Sequence, residues 1–301
     1  MGNFFSKKEV LTLENMPDVV LNEIFGHCDY RSIQCLRKVC LRIRKSVIHF
    51  NADSKFISFQ IYAGPKSTIF EYEDKNKKED EETNWKNIFY DSTMTREMRQ
   101  DLSLILSTQN RTLRLFGIFV EHVDTVPEIL DTIRHALSFR PRPLRAKRIQ
   151  MEPINQSEII SILPFIDPRT LIEIEFFEPD IGIEDVMEID ELVETEHWKR
   201  AEWLRSERYL SPELYQKHFS HFKTVLLTVK EISTKDLVTI KEMFLHNSNL
   251  ERFSFVYRIL HVDPLFSLGI PTVDENEYEI WNFENLIVKH DSLNCGFEFS
   301  R

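Results

Sequence analysis

LTLENMPDVVLNEIFGHCDYRSIQCLRKVCLRIRKSVIHF, residues 11–50, is dense in apolar side chains at helical spacing and carries no evident catalytic group. Val20, Leu21, Ile24, Phe25 and Cys28 fall on one face of a 3.6-residue period, and Pro17 stands where a first helical turn has no use for an N–H. Asp29 then caps a second helical run in which Ile33, Leu36, Val39, Cys40 and Ile43 recur at helical spacing. Arg31, Arg37, Lys38, Arg42, Arg44 and Lys45 take the other side. Helices this short bury too little surface to stand alone, so they pack on the domain that follows, on a partner, or on both.

Upstream, residues 1–10 form a tail whose start, MGNFFSKK, fits the N-myristoylation pattern, with Gly2 as acceptor, Ser6 in place and Lys7 and Lys8 behind it. One such chain gives weak, reversible membrane association, to which each lysine adds about 1 kcal/mol near an anionic surface. Downstream, residues 51–110 read as a connecting segment. KFISFQIYAGPKSTIFEY alternates on both sides of Gly64 and Pro65, which predicts a hairpin packed beside the helices. EYEDKNKKEDEE, residues 71–82, reads as a solvated loop, and Met98, Leu102, Ile105 and Leu106 mark a helix from Thr93 to Ser107.

Residues 111–301 carry a weak repeat of apolar side chains at i, i+3 and i+5: Leu113, Phe116, Ile118; Ala146, Ile149, Met151; Leu171, Ile174, Phe176; Phe222, Val225, Leu227; Leu250, Phe253, Phe255. Ala201 and Leu204 fit in part, with Ser206 at the third place. Helical patterns lie between, over 126–139, 156–163, 186–199, 212–219 and 235–246. Asn155 with Glu158 and Ser233 with Asp236 resemble capping boxes, and Ser211 precedes a first-turn Pro212. Units too small to bury their own faces imply a stacked parallel sheet with helices behind it. The expected class is therefore α/β: a small helical module followed by a leucine-rich-repeat-like strand–helix arc, with a compact α/β sandwich as the alternative.

The first module resembles the F-box through MPDVVLNEIF, DYRSIQCLRKVC and LRIRKSV. The resemblance implies binding to the adaptor, and through it to cullin, in SCF-type ubiquitin ligases, by Pro17, Val20, Leu21, Ile24, Ile33, Leu36 and Val39. Met16 and Cys28 stand where the family usually has leucine, and Ile43 where an aromatic is common. EIDELVETEHWKRAEWL, then HFSHFKTVLLTVKEIS and TKDLVTIKEMFLHNSNLERFSF, resemble the FTH domain that follows the F-box in the nematode F-box A family. That resemblance implies a protein-binding module without catalytic residues or cofactors. The family's Gln-Trp-Lys reads His197-Trp198-Lys199 here, and Trp198 reads as a core or helix anchor instead of a site.

Composition agrees with a globular protein: 42% of residues are hydrophobic and 12% aromatic. The net charge of −11 disfavours nonspecific attraction to nucleic acid. Cys28, Cys35, Cys40 and Cys295 show no paired spacing, and no secretory apolar region is present, so a cytoplasmic or nuclear setting is expected. No apolar run reaches membrane-spanning length, and the 7 glycines form no phosphate cradle.

Other constellations are weak. His218 and His221 have helical H-x-x-H spacing but no evident further ligand, and Cys40 lies on the apolar side of the docking module. Arg140, Arg142, Arg145, Lys147 and Arg148 read as solvated surface without the interleaved aromatics of an RNA site. Alternation along the strands sets Gly117, Glu175, Arg205, Leu226 and Ser254 on one face, with Leu115, Glu173, Trp203, Thr224 and Arg252 one pleat earlier. Trp203, Arg205 and Arg252, flanked by exposed Glu173 and Glu175, are the candidate target-binding core, unless WNFENLIVKH covers Trp203 with a strand. The expected function is a non-catalytic substrate-recognition subunit of an SCF-type ligase, with a nondegradative scaffold holding a regulatory partner protein as the alternative.

Overall fold

Pro17 opens the first helix by accepting the N–H groups of Val20 and Leu21 at its carbonyl, 3.0 and 3.1 Å away. In the computed structural model, which describes residues 12–50, 53–74, 85–91, 95–179, 182, 185–261 and 268–301, three helices follow: α1 (Asp18–His27), α2 (Tyr30–Val39) and α3 (Leu41–His49). Asp29 caps α2 as expected, accepting the Ser32 N–H at 2.8 Å, and hydrogen bonding to Ser32 holds its carboxyl below the ordinary range. Cys40 is the residue before α3, where its sulfur accepts the Ile43 N–H. Leu21, Phe25, Ile33, Ile43 and Val47 make the module's own core, with Met16, Ile24, Cys28, Leu36 and Cys40 packed around it. Of the three positions that depart from the F-box pattern, Ile43 lies in this core and Met16 and Cys28 pack against it.

The module is joined to the rest by side chains from both parts. Tyr30 leaves its own helices and packs into the larger core, 5.1 Å from Phe56 and 5.8 Å from Tyr72 between ring centres. Lys55 adopts a left-handed backbone with φ of 59°, and Asp53 holds it there by accepting its N–H at 3.1 Å. From that position Lys55 Nζ donates to the carbonyls of Gly26 and Cys28, the latter at 2.9 Å, at the end of α1.

Among the described residues the larger part is one sheet of 13 strands. Its first elements are β1 (Phe56–Ala63), β2 (Thr68–Asp74), β3 (Lys86–Tyr90), α4 (Arg96–Thr108), β4 (Leu113–Val120), α5 (Val126–Ser138), β5 (Ala146–Met151) and α6 (Gln156–Ile162). Then come β6 (Glu173–Phe176), α7 (Glu196–Arg200), β7 (Trp203–Ser206), α8 (Tyr215–His218), β8 (Thr224–Ile232), α9 (Thr234–His246) and β9 (Arg252–Leu260). The last strands are β10 (Thr272–Val273), β11 (Glu279–Phe283), β12 (Leu286–Asp291) and β13 (Gly296–Ser300). The order across the sheet is β10-β11-β12-β13-β9-β8-β7-β6-β5-β4-β1-β2-β3.

From β4 to β9 the strands pair in parallel and in chain order, and the repeat read from the sequence becomes a cross-strand row. Phe116, Ile149, Ile174, Leu204, Val225 and Phe253 pair in succession and are all fully buried. Helices cover this side: α5 contributes Ile129, Ile133 and Ala136 and α9 contributes Leu237, Ile240 and Phe244 to the core. Ser233 and Asp236 form the expected capping box at α9. Asn155 caps α6 through Ser157, while Glu158 reaches back to the Ile154 N–H at 3.0 Å.

Two expectations need correction, and one alternative falls away. The hairpin β1–β2 is more than a connection, because β1 pairs in parallel with β4 and so belongs to the main sheet. The helical pattern over 186–199 is irregular chain until a turn at Leu192–Glu194 and the short α7. Met187 and Ile189 are buried there, and the Met187 N–H is drawn to the Tyr209 carbonyl at 2.8 Å, which holds the segment out of a helix. WNFENLIVKH covers no strand face. It supplies parts of β11 and β12, which lengthen the sheet edgewise through β13, itself antiparallel to β9.

Candidate functional site

Among the described residues two surfaces carry the candidate binding side chains. On the helical module Pro17, Val20 and Val39 are exposed, the valines to 42% and 63%. Ile24 and Leu36 are half-buried against the module core. Leu21 and Ile33 are not surface groups at all, since both lie inside that core. Helical periodicity put them on the docking face because an apolar stripe looks the same whether it meets a core or a partner. Val19, Leu41 and Ile48 are exposed apolar residues outside the expected set. Val19 and Leu41 lie one step off the counted stripe, and Ile48 lies beyond its end.

The second surface is the sheet face opposite the helices. Its rows follow the register: Leu115, Arg148, Glu173, Trp203, Thr224 and Arg252 pair in succession, and so do Gly117, Gln150, Glu175, Arg205, Leu226 and Ser254. The candidate target-binding residues are thus brought together on one face. Trp203 is 45% exposed, and Arg205 and Arg252 are exposed beside it. Arg205 donates to Glu207 at 2.8 Å and lies 5.3 Å from the Phe177 ring centre, and Arg252 donates to Glu298 at 2.6 Å.

Glu173 and Glu175 are only half-buried rather than freely exposed, because β5 sets Arg148 and Gln150 directly against them. Arg148 donates to Glu173 and lies 3.6 Å from Glu175, while Gln150 donates to Glu175. Burial by itself would lower Arg148, but the Glu173 hydrogen bond and both carboxylates outweigh it and hold the guanidinium above its ordinary value. Gln60 continues the polar ladder, donating to Gln150 at 3.0 Å. A cleft of about 430 Å³ opens over Arg205, Leu226, Ser254 and Val256, and a second of about 260 Å³ adjoins it over Val256, Lys289 and Glu298.

The remaining candidates have structural partners. The His221 ring N–H donates to the Trp198 carbonyl at 2.8 Å, and the Trp198 indole donates to the His218 carbonyl at 3.1 Å while packing on Phe219 and Phe222. Arg140 donates to the carbonyls of Leu106 and Gln109 at the end of α4, and Arg145 donates to that of Asn110. No group of three or more metal-ligating side chains occurs among the described residues, and none of their helices is long and apolar enough to cross a membrane. All four cysteines are free thiols. Gly2 and most of the charged stretch 71–82 lie outside the described residues.

The structure therefore defines a mixed α/β protein of two parts, a helical module with uncovered apolar side chains and a long sheet with one open face. Family comparison supplies the names of the parts: residues 13–52 match the F-box domain and residues 127–267 match the FTH domain. The chain thus carries an F-box with an FTH domain behind it. An F-box implies a role in binding the adaptor of SCF-type ubiquitin ligases, and an FTH domain suggests protein interaction. No curated protein and no solved structure matches the chain.

Proposed function

We propose that this chain is a substrate-recognition subunit of an SCF-type cullin-RING ubiquitin ligase, in which the F-box holds the adaptor and the open sheet face holds a target protein. The ubiquitin chemistry belongs to the partner subunits. The observation that supports this best is the pair of uncovered surfaces on one connected body: exposed Val20 and Val39 at the helical end, exposed Trp203, Arg205 and Arg252 on the sheet. Pro17, Val20, Ile24, Leu36 and Val39 are the adaptor contacts in this reading, with Val19, Leu41 and Ile48 added, while Leu21 and Ile33 support them from beneath.

Copurification tests it. The wild-type chain should bring down adaptor and cullin together, and Val20→Asp with Val39→Asp should lose both. Trp203→Ala with Arg252→Glu should keep the adaptor and lose the target. Adaptor without cullin would favour a nondegradative scaffold, and an unaltered partner set for the sheet variant would move recognition off the open face.

A further inference from the structure

The open face is not uniform along the strands. Towards the carboxyl ends of β1, β4 and β6 it turns aromatic: Tyr62 and Phe119 are paired in register, and their rings stack with centres 4.7 Å apart and planes 8° from parallel. The Phe177 ring follows, 6.0 Å from Phe119. Gly117 permits this platform. A Cβ at that position would come within 2.8 Å of both the Phe119 ring and the Gln60 side chain, so glycine lets the two lie flat across the strand.

Two carboxylates lie close to Tyr62. Glu71 stands opposite Gln60 on β2. Glu152 lies near enough to Tyr62 for its charge to act on the phenol. Burial, followed by the charges of Glu71 and Glu152, pushes the Tyr62 phenol up to about 12. Burial also raises the Glu71 carboxyl, and no cation among the described residues is set against it to pull it back. The chain itself displays the complementary chemistry one strand pair away, where the Arg205 guanidinium sits between the Phe177 ring and the Glu207 carboxylate.

We propose that the aromatic end of the open face, around Tyr62, Phe119, Glu71 and Glu152, seats a lysine or arginine side chain from a basic segment of the bound protein. The proposal rests on the open face being the target surface. A cation arriving there repeats beside Tyr62 what Arg205 does beside Phe177, and it relieves a half-buried carboxylate of its missing counter-charge. An acidic segment would meet like charge, and an apolar one would strip water from Glu71 with nothing in exchange. The net charge of −11 attracts basic partners from a distance but selects no place on the surface.

The test uses the full chain bound to its adaptor and fluorescent peptides of equal length rich in lysine, arginine, serine or glutamate, titrated by anisotropy at about 0.15 M salt. The lysine and arginine peptides should bind, and should weaken roughly tenfold with Tyr62→Ala and again with the pair Glu71→Gln and Glu152→Gln. Tyr62→Phe, which keeps the ring, should retain most of the affinity, and an unchanged denaturant unfolding midpoint reports that the sheet of each variant is folded. Glu194→Gln with Glu196→Gln removes the same charge from exposed positions around α7 and should change nothing. Basic peptides that weaken equally with that distal pair, or ignore Tyr62→Ala, are held by net charge alone and overturn the proposal. A glutamate-rich peptide that binds and is lost with Arg252→Glu overturns it while sparing the open face as the target surface. If no peptide responds to any open-face substitution, both readings fall.

Discussion

Leu21 and Val20 are chain neighbours with opposite fates, and substituting each in turn separates the module's fold from its binding. Leu21 is fully buried among Phe25, Ile33, Ile43 and Val47. Leu21→Ala removes three carbons, roughly 2.4 kcal/mol of transfer energy at about 0.8 kcal/mol each, and the cavity left behind brings the cost to about 3–5 kcal/mol. The F-box core has five fully buried apolar residues, so this loss is enough to melt it locally while the sheet, with its separate larger core, stays folded. Val20→Asp with Val39→Asp changes exposed positions and should leave stability within about 0.5 kcal/mol at each site. An anchor contributing about 2 kcal/mol to an interface costs roughly thirtyfold in affinity when lost. The assay is a pair: hydrogen exchange of α1 to α3 in the free chain, and titration of purified adaptor. Leu21→Ala should fail both, and the valine pair should fail only the second. Wild-type protection in Leu21→Ala, or an undiminished adaptor affinity in the folded valine variant, refutes the assignment of these neighbours.

Gly2→Ala should move the protein from membrane to soluble fractions, with intact mass showing the acyl adduct on wild type only; an unmodified wild type from cells that contain the transferase ends that idea. His197 is buried, its ring N–H on the Ile166 carbonyl at 2.8 Å, and burial lowers its pKa. The unfolded chain then takes up a proton below about pH 6.5 that the folded chain refuses, so stability is complete above that value and falls as pH drops, by at most about 1.4 kcal/mol per unit for this group. His197→Gln keeps a donor and should flatten the loss of denaturation midpoint between about pH 7 and 5.5; an unchanged slope contradicts it. Trp198→Phe strands the His218 carbonyl and should cost about 2–3 kcal/mol by denaturant unfolding, with a neutral result showing the anchor to be dispensable.

Much of the fold was legible because its signals are local. The Asp29 cap, the Ser233 and Asp236 box and the turn at Gly64 and Pro65 each depend on a few neighbouring residues, and all three are where the pattern put them. The row from Phe116 to Phe253 was legible for a different reason: one spacing repeated often enough to reveal a stack. What escaped was non-local. Ile189, Leu192 and Val193 are spaced i, i+3 and i+4 as a helix would space them, yet the Tyr209 carbonyl, distant in sequence, binds the Met187 N–H and holds the start of the segment extended. Phe297 and Phe299 alternate plainly, but nothing nearby says that they pair beside Phe255 and Phe253 at a sheet edge instead of lying across its face. Glu173 and Glu175 were placed on the right face without their partners, because register against Arg148 and Gln150 is decided by the whole sheet.

If the proposed function holds, Lys55 and Tyr30 bear on how a bound protein would be presented. One fastens the end of α1 by its carbonyls and the other sinks a ring of the helical module between Phe56 and Tyr72, so among the described residues the docking helices are bracketed to the sheet at two points. A bracket fixes an angle of approach. A protein carried on the open face would face the ubiquitin donor in a single aspect, and the lysines within reach would form a sector of its surface chosen by its own pose. Loosening the bracket, by Lys55→Met for instance, would widen that sector and spread modification over more lysines without altering what is bound.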